Sequence, residues 1–262
     1  MRQFVADLHV HSVLSPCAEV EMTPRNIVWH ADKHGIDIVA ITDHSACDNV
    51  IAAFAAAKGT NVIILPGMEV ETKEEVHLIV LFEKIRQLKV WDQFVKQHMS
   101  GQLNDEKRFG AQFVVDEADE LIRIKPEMLL TSLSSGITEI CKIVNELGGI
   151  CIASHVDRPA NSLLAQLGFI PPDVELAAVE VSRLTSLQEA TLRFPAIGKL
   201  PIVTSSDAHT MDDFLSGPKT IFYIDEPTLP EIQQALKGQN SRKVVTQEPG
   251  NPQLLRTFCK EE

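Results

Sequence analysis

The sequence lacks the cysteine pattern of a disulfide-stapled protein. Its 262 residues include five cysteines, at positions 17, 47, 141, 151 and 259, with no Cys-x-x-Cys spacing. An odd count without that spacing argues against a disulfide framework and favours a reducing compartment.

Long apolar runs and an excess of positive charge are also missing. No apolar run approaches the ~20 residues that cross a bilayer, and the first residues lack a charged-then-apolar leader. We therefore expect a cytoplasmic protein with no membrane partner. The formal net charge of −12 disfavours extended nucleic-acid binding, which relies on a basic footprint. An anionic substrate held by metal ions in a small cleft is compatible with that charge. The sequence says nothing about oligomeric state.

Apolar residues make up 44% of the chain and charged residues 23%, enough apolar material for a sizeable core. Apolar strands alternate with helices, the order typical of a parallel sheet. We predict a single α/β domain over residues 1–262, a distorted barrel of about seven strands. Between about 83 and 147 charges rise and strands disappear, which predicts a helical insertion. Its helices are expected near residues 88–100, 116–124, 126–133 and 136–147.

The first strand carries the first chemical signal, His9-Val10-His11. Residues two apart on a strand share a face, so His9 and His11 are expected to point the same way with Asp7 behind them. Two imidazoles on one rigid face can hold a transition metal, and a nearby carboxylate can orient an imidazole ring. Alone this pair is a weak signal, because buried histidines are often structural.

The same pattern, an apolar strand with His, Asp or Glu near one end, recurs along the chain. The candidate metal ligands are His9, His11, His44, Glu69, His77, His155, Asp207 and His209. In a closed α/β barrel the carboxyl ends of the strands share one rim. Closure is therefore the arrangement that brings residues from the first, middle and last strands together.

The mixture of imidazole and carboxylate suits zinc, manganese or iron better than magnesium or calcium, which prefer oxygen ligands. Six His and two carboxylates exceed the needs of one tetrahedral site. We therefore expect at least two ions, with Glu69 as the bridging carboxylate. Two close ions suit phosphate-ester hydrolysis, because they activate a water and hold the phosphoryl oxygens. Neither a Ser-His-Asp triad nor a P-loop is evident.

These motifs, in this order, resemble the polymerase-and-histidinol-phosphatase (PHP) family of phosphoesterases. The resemblance is carried by residues 7–12, 41–44, 67–69, 77, 154–158 and 206–209. It implies a distorted seven-stranded barrel with two or three divalent metal ions. It also implies that a first metal is held by His9, His11, Glu69 and Asp207. Glu69 would bridge to a second metal held by His77 and His155, and His44 and His209 would face a third.

The chain departs from the family pattern at two positions. Many three-metal members have another His where this chain has Cys17, so Cys17 is a candidate ligand and the third position can differ in metal or be absent. An ordinary loop cysteine is the alternative. Family members often have Pro where this chain has Val156. Arg158 is retained, and Arg158 and Arg183 are candidates to bind substrate phosphate, with surface ion pairs as the alternative.

The expected catalytic groups are Asp7, Asp43, His44, His209 and Arg158. Asp7 and Asp43 are expected to support ligands rather than bind metal. His44 or His209 would protonate the leaving oxygen where no third metal occupies them.

The sequence therefore predicts a metal-dependent phosphoesterase that acts on a small phosphorylated metabolite or nucleotide through metal-activated hydroxide. A metal-dependent 3′–5′ exonuclease is one alternative, which the acidic charge disfavours. A barrel amidohydrolase also opens with His-x-His, but it typically bridges its metals with Lys. The third alternative is a non-catalytic, metal-bound regulatory domain.

Overall fold

A computed structural model describes residues 1–247 of the chain, and Cys259 lies outside them. The strands in this part are β1 Arg2–Val10, β2 Ile38–Ile41, β3 Ile63–Glu71, β4 His77–Leu81, β5 Phe113–Val115, β6 Leu121–Ile124, β7 Ile150–Ala153, β8 Ala178–Val181, β9 Ile202–Thr204, β10 Thr220–Ile224 and β11 Lys243–Thr246. The helices are α1 Pro24–His34, α2 Val50–Ala56, α3 Ile85–His98, α4 Glu106–Phe109, α5 Ile137–Glu146, α6 Leu163–Leu167, α7 Leu187–Arg193, α8 Met211–Ser216 and α9 Leu229–Leu236.

The main sheet forms a nearly closed barrel, which confirms the predicted fold class. Its strand order is β11-β10-β1-β2-β3-β4-β7-β8-β9. The ring closes at the carboxyl end of β1, where Val10 pairs in parallel with Ala208, just after β9. We call this end of the barrel the upper rim. The His11 N–H donates to the Ala208 carbonyl at 3.0 Å. At the start of β1, residues Arg2–Ala6 pair with β10 instead. Strands β10 and β11 thus add two strands to the seven of the expected barrel.

The alternation of strands and helices predicts a parallel sheet, and this is wrong for strands β4 and β10, so the sheet is mixed. Strand β4 runs antiparallel to both β3 and β7. Its first residue, His77, pairs with Glu71 at the end of β3. A residue at the start of an antiparallel strand thus reaches the same rim as residues at the ends of parallel strands.

Apolar side chains fill the barrel below that rim. Leu8, Leu65, Ile79 and Ile152 belong to one buried cluster and are at most 2% exposed. The pairing of β1 with β2 shifts register between Asp7 and Val10. This irregularity lets both Leu8 and His9 face the interior, because a bulge reverses the alternation of side chains. The expectation that Asp7 shares the face of His9 and His11 is therefore wrong.

The insertion is only partly helical. Helices α3 and α5 confirm two of the four helices expected there. Instead of the helix predicted over 116–124, strands β5 and β6 form an antiparallel hairpin, and no helix covers 126–133. The acidic run forms the turn between the strands, where Asp116 accepts the N–H groups of Ala118 and Glu120, both at 2.9 Å. Asp side chains that accept backbone N–H groups favour a turn over a helix.

The insertion packs above the loop that follows β1. Leu14 in that loop is fully buried against Val114 and Leu129. Within residues 1–247, no helix is both long and apolar enough to cross a membrane.

Candidate active site

All the candidate ligands converge at the upper rim of the barrel. Most are buried, and His77 and His209 are partly exposed. The ring centroids of His9 and His11 lie 5.1 Å apart, and those of His11 and His209 lie 4.3 Å apart. The centroids of His77 and His155 are separated by 5.3 Å. Segments up to two hundred residues apart in sequence thus form one cluster.

Glu69 lies at the centre of this cluster and is 1% exposed. Its Oε1 is 3.3 Å from Nε2 of His9, 3.0 Å from Nδ1 of His77 and 3.6 Å from Nε2 of His155. Burial alone would raise the pKa of Glu69, but the imidazoles of His77, His9 and His44 hold it well below its ordinary value. The side chain is therefore an anion at neutral pH, which suits a ligand shared between cations.

The other oxygen of Glu69 faces a second group of histidines. Oε2 is 3.2 Å from Nδ1 of His44 and 3.4 Å from Nε2 of His11. Asp207 lies in the segment after β9, with Oδ1 3.2 Å from Nε2 of His9 and 3.4 Å from Nε2 of His11. Both carboxylates therefore point at the same imidazole nitrogens.

Two of the converging residues have left-handed backbone conformations. His155 has a φ of 28° and Asp207 a φ of 49°. Positive φ is uncommon outside glycine and is concentrated at functional sites. Each residue follows a parallel strand, and the sharp change of direction turns its side chain back over the rim.

The donor set fits divalent metal ions. Three groups have ligand atoms that all lie within 4.8 Å of one another: His11 with His44 and His209, His9 with His11 and Glu69, and His44 with Glu69 and His77. The Nε2 atoms of His9 and His11 are only 3.1 Å apart. Two lone pairs that face each other this closely require a proton or a cation between them. Burial lowers the pKa of His11 to about 4, so this ring is neutral and free to bind a cation at pH 7.

Several residues predicted for the site have other partners. Asp7 does not orient an imidazole; its Oδ2 lies 3.0 Å from Nζ of Lys219. Asp43 accepts hydrogen bonds from the hydroxyls of Ser12 at 2.6 Å and Ser15 at 2.7 Å. Because Ser15 also lies 3.0 Å from Nδ1 of His11, Asp43 acts on the cluster through Ser15.

Cys17 and the two arginines lie at the edge of the cluster. Cys17 is exposed and belongs to none of the three groups of ligand atoms. Arg158 reaches the cluster, with Nη2 2.6 Å from Oδ2 of Asp207. Arg183 instead forms an ion pair with Asp213.

Two residues that contact the cluster were not predicted from the sequence. Oε1 of Glu180 lies 3.0 Å from Nδ1 of His9, and Oε2 of Glu71 lies 3.3 Å from Nε2 of His77. An acidic residue between valines in the buried strand β8 was the available signal for Glu180. Lys219 was also missed; it pairs with Asp7 rather than with a ligand, and nothing in its local sequence marks it.

A buried cluster of imidazoles and carboxylates at the rim of an α/β barrel is a set of donors that can hold divalent metal ions. The model of the PHP domain matches residues 7–184, more than half of the sequence. The chain belongs to the PHP family. A comparison with curated proteins gives no match.

Solved structures show the same fold. The lesion-specific endonuclease EndoQ from Pyrococcus furiosus superposes with a TM-score of 0.69 and 20% identity, over 94% of this chain and 58% of that one. A two-domain protein from Bacteroides vulgatus with a predicted PHP-like metal-dependent phosphoesterase superposes with a TM-score of 0.55 and 15% identity, over 95% of this chain and 65% of that one. A candidate metal-dependent phosphoesterase from Bifidobacterium adolescentis superposes with a TM-score of 0.52 and 19% identity, over 78% of this chain and 87% of that one. These identities show likeness of fold alone, and this chain spans less than two thirds of the length of EndoQ.

The metal-free protein is expected to lose stability as the pH rises above neutrality. Burial opposes the charge on His77, but Glu69 and Glu71 raise its pKa from 6.5 to about 10. A raised folded-state pKa gives stability that is complete below 6.5 and is lost as the pH rises through 10. The thermal midpoint of chelator-treated protein should fall across this interval, and His77→Asn should flatten the fall. A midpoint that is constant from pH 6.5 to 10 in both proteins would contradict the assignment.

Proposed function

We propose that this chain is a phosphoesterase that hydrolyses a small phosphorylated metabolite or nucleotide. The observation that carries the proposal is a buried carboxylate, Glu69, within 3.6 Å of imidazole nitrogens from separate segments of the barrel. Bound divalent ions would supply Lewis acidity, which lowers the pKa of a water and neutralises phosphoryl charge. The expected ions are two or three, of manganese, zinc or iron.

The contacts support the division of ligands that the family resemblance implies, with His44 also close to Glu69 and His77. His9, His11, Glu69 and Asp207 would hold one ion. Glu69 would be shared with a second ion, which His77 and His155 complete. The group of His11, His44 and His209 would hold a third. Cys17 is a further candidate ligand for that position, although it lies outside this group of atoms.

Arg158 is the candidate for substrate phosphate. Its guanidinium side chain is 44% exposed and its Nη2 lies beside Asp207 at the rim. A guanidinium can donate two parallel hydrogen bonds to phosphate oxygens. Arg183 is a weaker candidate, because Asp213 already occupies it.

Where no third ion is bound, His209 is better placed than His44 to protonate a leaving group. Burial and the neighbouring His11 hold the pKa of His44 well below its ordinary value, so His44 is neutral at pH 7 and suits metal binding. His209 is partly exposed, and its Nδ1 lies 2.9 Å from the carbonyl of Asp207. That contact assigns the proton to Nδ1 and leaves Nε2 for exchange with the leaving oxygen.

Nuclease activity is the second candidate, and the likeness of fold to EndoQ is its support. The net charge of −12 counts against it, because binding along a nucleic acid depends on Lys and Arg contacts to phosphates. A small substrate is therefore preferred over a nucleic acid. The expected location is cytoplasmic. A non-catalytic metal-bound domain is the remaining alternative.

Chelator-treated protein should release little phosphate, and Mn²⁺, Zn²⁺ or Fe²⁺ should restore the release. The assay uses sugar phosphates, nucleoside monophosphates and p-nitrophenyl phosphate, with single-stranded and abasic duplex DNA in parallel. Turnover of a small ester without DNA cleavage is the expected result, because metal ions carry the chemistry in this type of site. DNA cleavage alone would favour the nuclease. Metal-loaded protein that cleaves none of these substrates would count against both the phosphoesterase and the nuclease.

A further inference from the structure

Glu180 contacts the metal cluster without belonging to any of its ligand groups. We propose that Glu180 is a positioning residue that couples the first and second metal positions, so that both lose affinity when its charge is removed. This inference rests on the ligand division in the proposed function, but not on the identity of the substrate.

A single carboxylate reaches residues of both positions. Its Oε1 lies 3.0 Å from Nδ1 of His9, and Oε2 lies 3.3 Å from the same nitrogen. The backbone N–H of His155 donates to Oε1 at 3.2 Å. His9 belongs to the first position and His155 to the second, so Oε1 connects the two.

The contact with His9 fixes which ring nitrogen faces the metals. An anionic oxygen at Nδ1 requires the proton to be on Nδ1. Nε2 lies 3.2 Å from Asp207 and 3.3 Å from Glu69, so its lone pair would be available to a metal ion held by these carboxylates. A carboxylate behind a ligating imidazole fixes its tautomer and raises its basicity.

The contacts with the segment after β7 hold the backbone of His155. This residue has a φ of 28°, a conformation that costs energy and persists only where its surroundings enforce it. The side chain of Glu180 binds the N–H of His155, and the main-chain carbonyl of Glu180 accepts the N–H of Val156 at 2.8 Å. One residue of β8 therefore fixes both sides of the turn that carries a ligand.

The charge of Glu180 lacks an ordinary counterion. Glu180 is 1% exposed, and no Lys or Arg of residues 1–247 lies within salt-bridge distance of it. The only ion pair it forms in that part of the chain is with His9. A buried carboxylate needs nearby positive charge, and the cations bound beyond His9 would supply it.

Glu180→Gln removes the charge but keeps the shape of the side chain, and its amide can present either an oxygen or an NH₂ group to Nδ1 of His9. Titration of Mn²⁺ or Zn²⁺ into chelator-treated protein should show both positions weakened by about 10–100-fold. Glu71→Gln is the matched comparison, since Glu71 touches only His77 of the second position and should weaken that step alone. Glu189→Gln, in an exposed ion pair with Arg193, should leave both steps unchanged. In Zn²⁺-loaded protein, the ¹⁵N shifts of His9 should show Nδ1 protonated in the wild type and mixed tautomers in Glu180→Gln.

Unchanged affinity, or loss at one position only, in a folded Glu180→Gln protein would overturn the coupling. If that variant does not fold, Glu180→Asp keeps the charge but shortens its reach, and should restore the His9 tautomer while the second position stays weakened. Failure of Asp to restore the tautomer would overturn the proposal equally. Normal metal titrations without phosphoester turnover would instead refute the proposed function and leave this test intact.

Discussion

Glu69→Gln is expected to lower the kcat of metal-dependent hydrolysis by more than about a hundredfold. Loss of an outer partner of a metal ligand already costs up to about a hundredfold, and Glu69 is itself a candidate ligand. Gln keeps the shape of the side chain but removes the negative charge and one anionic oxygen. That carboxylate lies within 3.6 Å of nitrogens of His9, His77 and His155. It is the only candidate ligand placed between the first and second metal positions, so its loss should affect both.

The measurement combines kcat with the number of bound metal ions per chain in the same preparation. Glu189→Gln is the surface control and should match the wild type in both. Metal-free Glu69→Gln should also show a smaller fall in thermal midpoint at high pH, because Glu69 contributes most to the raised pKa of His77. A variant with a full complement of metal and near-normal kcat would refute a bridging role for Glu69.

Local rules are enough to predict the barrel and much of the cluster. His44, His155 and Asp207 each follow an apolar parallel strand, and closure of the ring brings strand ends to one rim. The pairing of Val10 with Ala208 provides that closure. Candidates of this kind can be found one strand at a time, without knowledge of their partners.

What could not be predicted depends on pairing and register. His77 starts its strand, and it reaches the rim because β4 runs antiparallel to its neighbours, which no property of residues 76–82 reveals. The register shift after Asp7 separates it from His9, although simple alternation places them on one face. The hairpin at β5 and β6 was missed because a run of carboxylates in a turn has the composition of a helix face.

Asp7 and Lys219 form a buried pair that fastens the first strand beneath the cluster. Their side chains are 0% and 2% exposed, with Nζ of Lys219 3.0 Å from Oδ2 of Asp7. Nζ also donates to the carbonyls of Phe214 at 2.7 Å and Gly217 at 2.9 Å. The other oxygen of Asp7 accepts the N–H of Ser206 at 3.1 Å. The pair therefore ties β1 to the segment that carries Asp207.

Lys219→Met is expected to lower the free energy of unfolding by about 3–5 kcal/mol, because it leaves the charge of Asp7 buried without a cation. Urea unfolding of chelator-treated protein measures the change. Adding Asp7→Asn should recover part of the loss, since neither buried charge then remains. Lys142→Met is the matched control; its pair with Glu146 is exposed and 4.0 Å long, so a loss within about 0.5 kcal/mol is expected. If Lys219→Met cost no more than Lys142→Met, the pair would not be the fastening of β1, and the position of His9 would depend on the barrel alone.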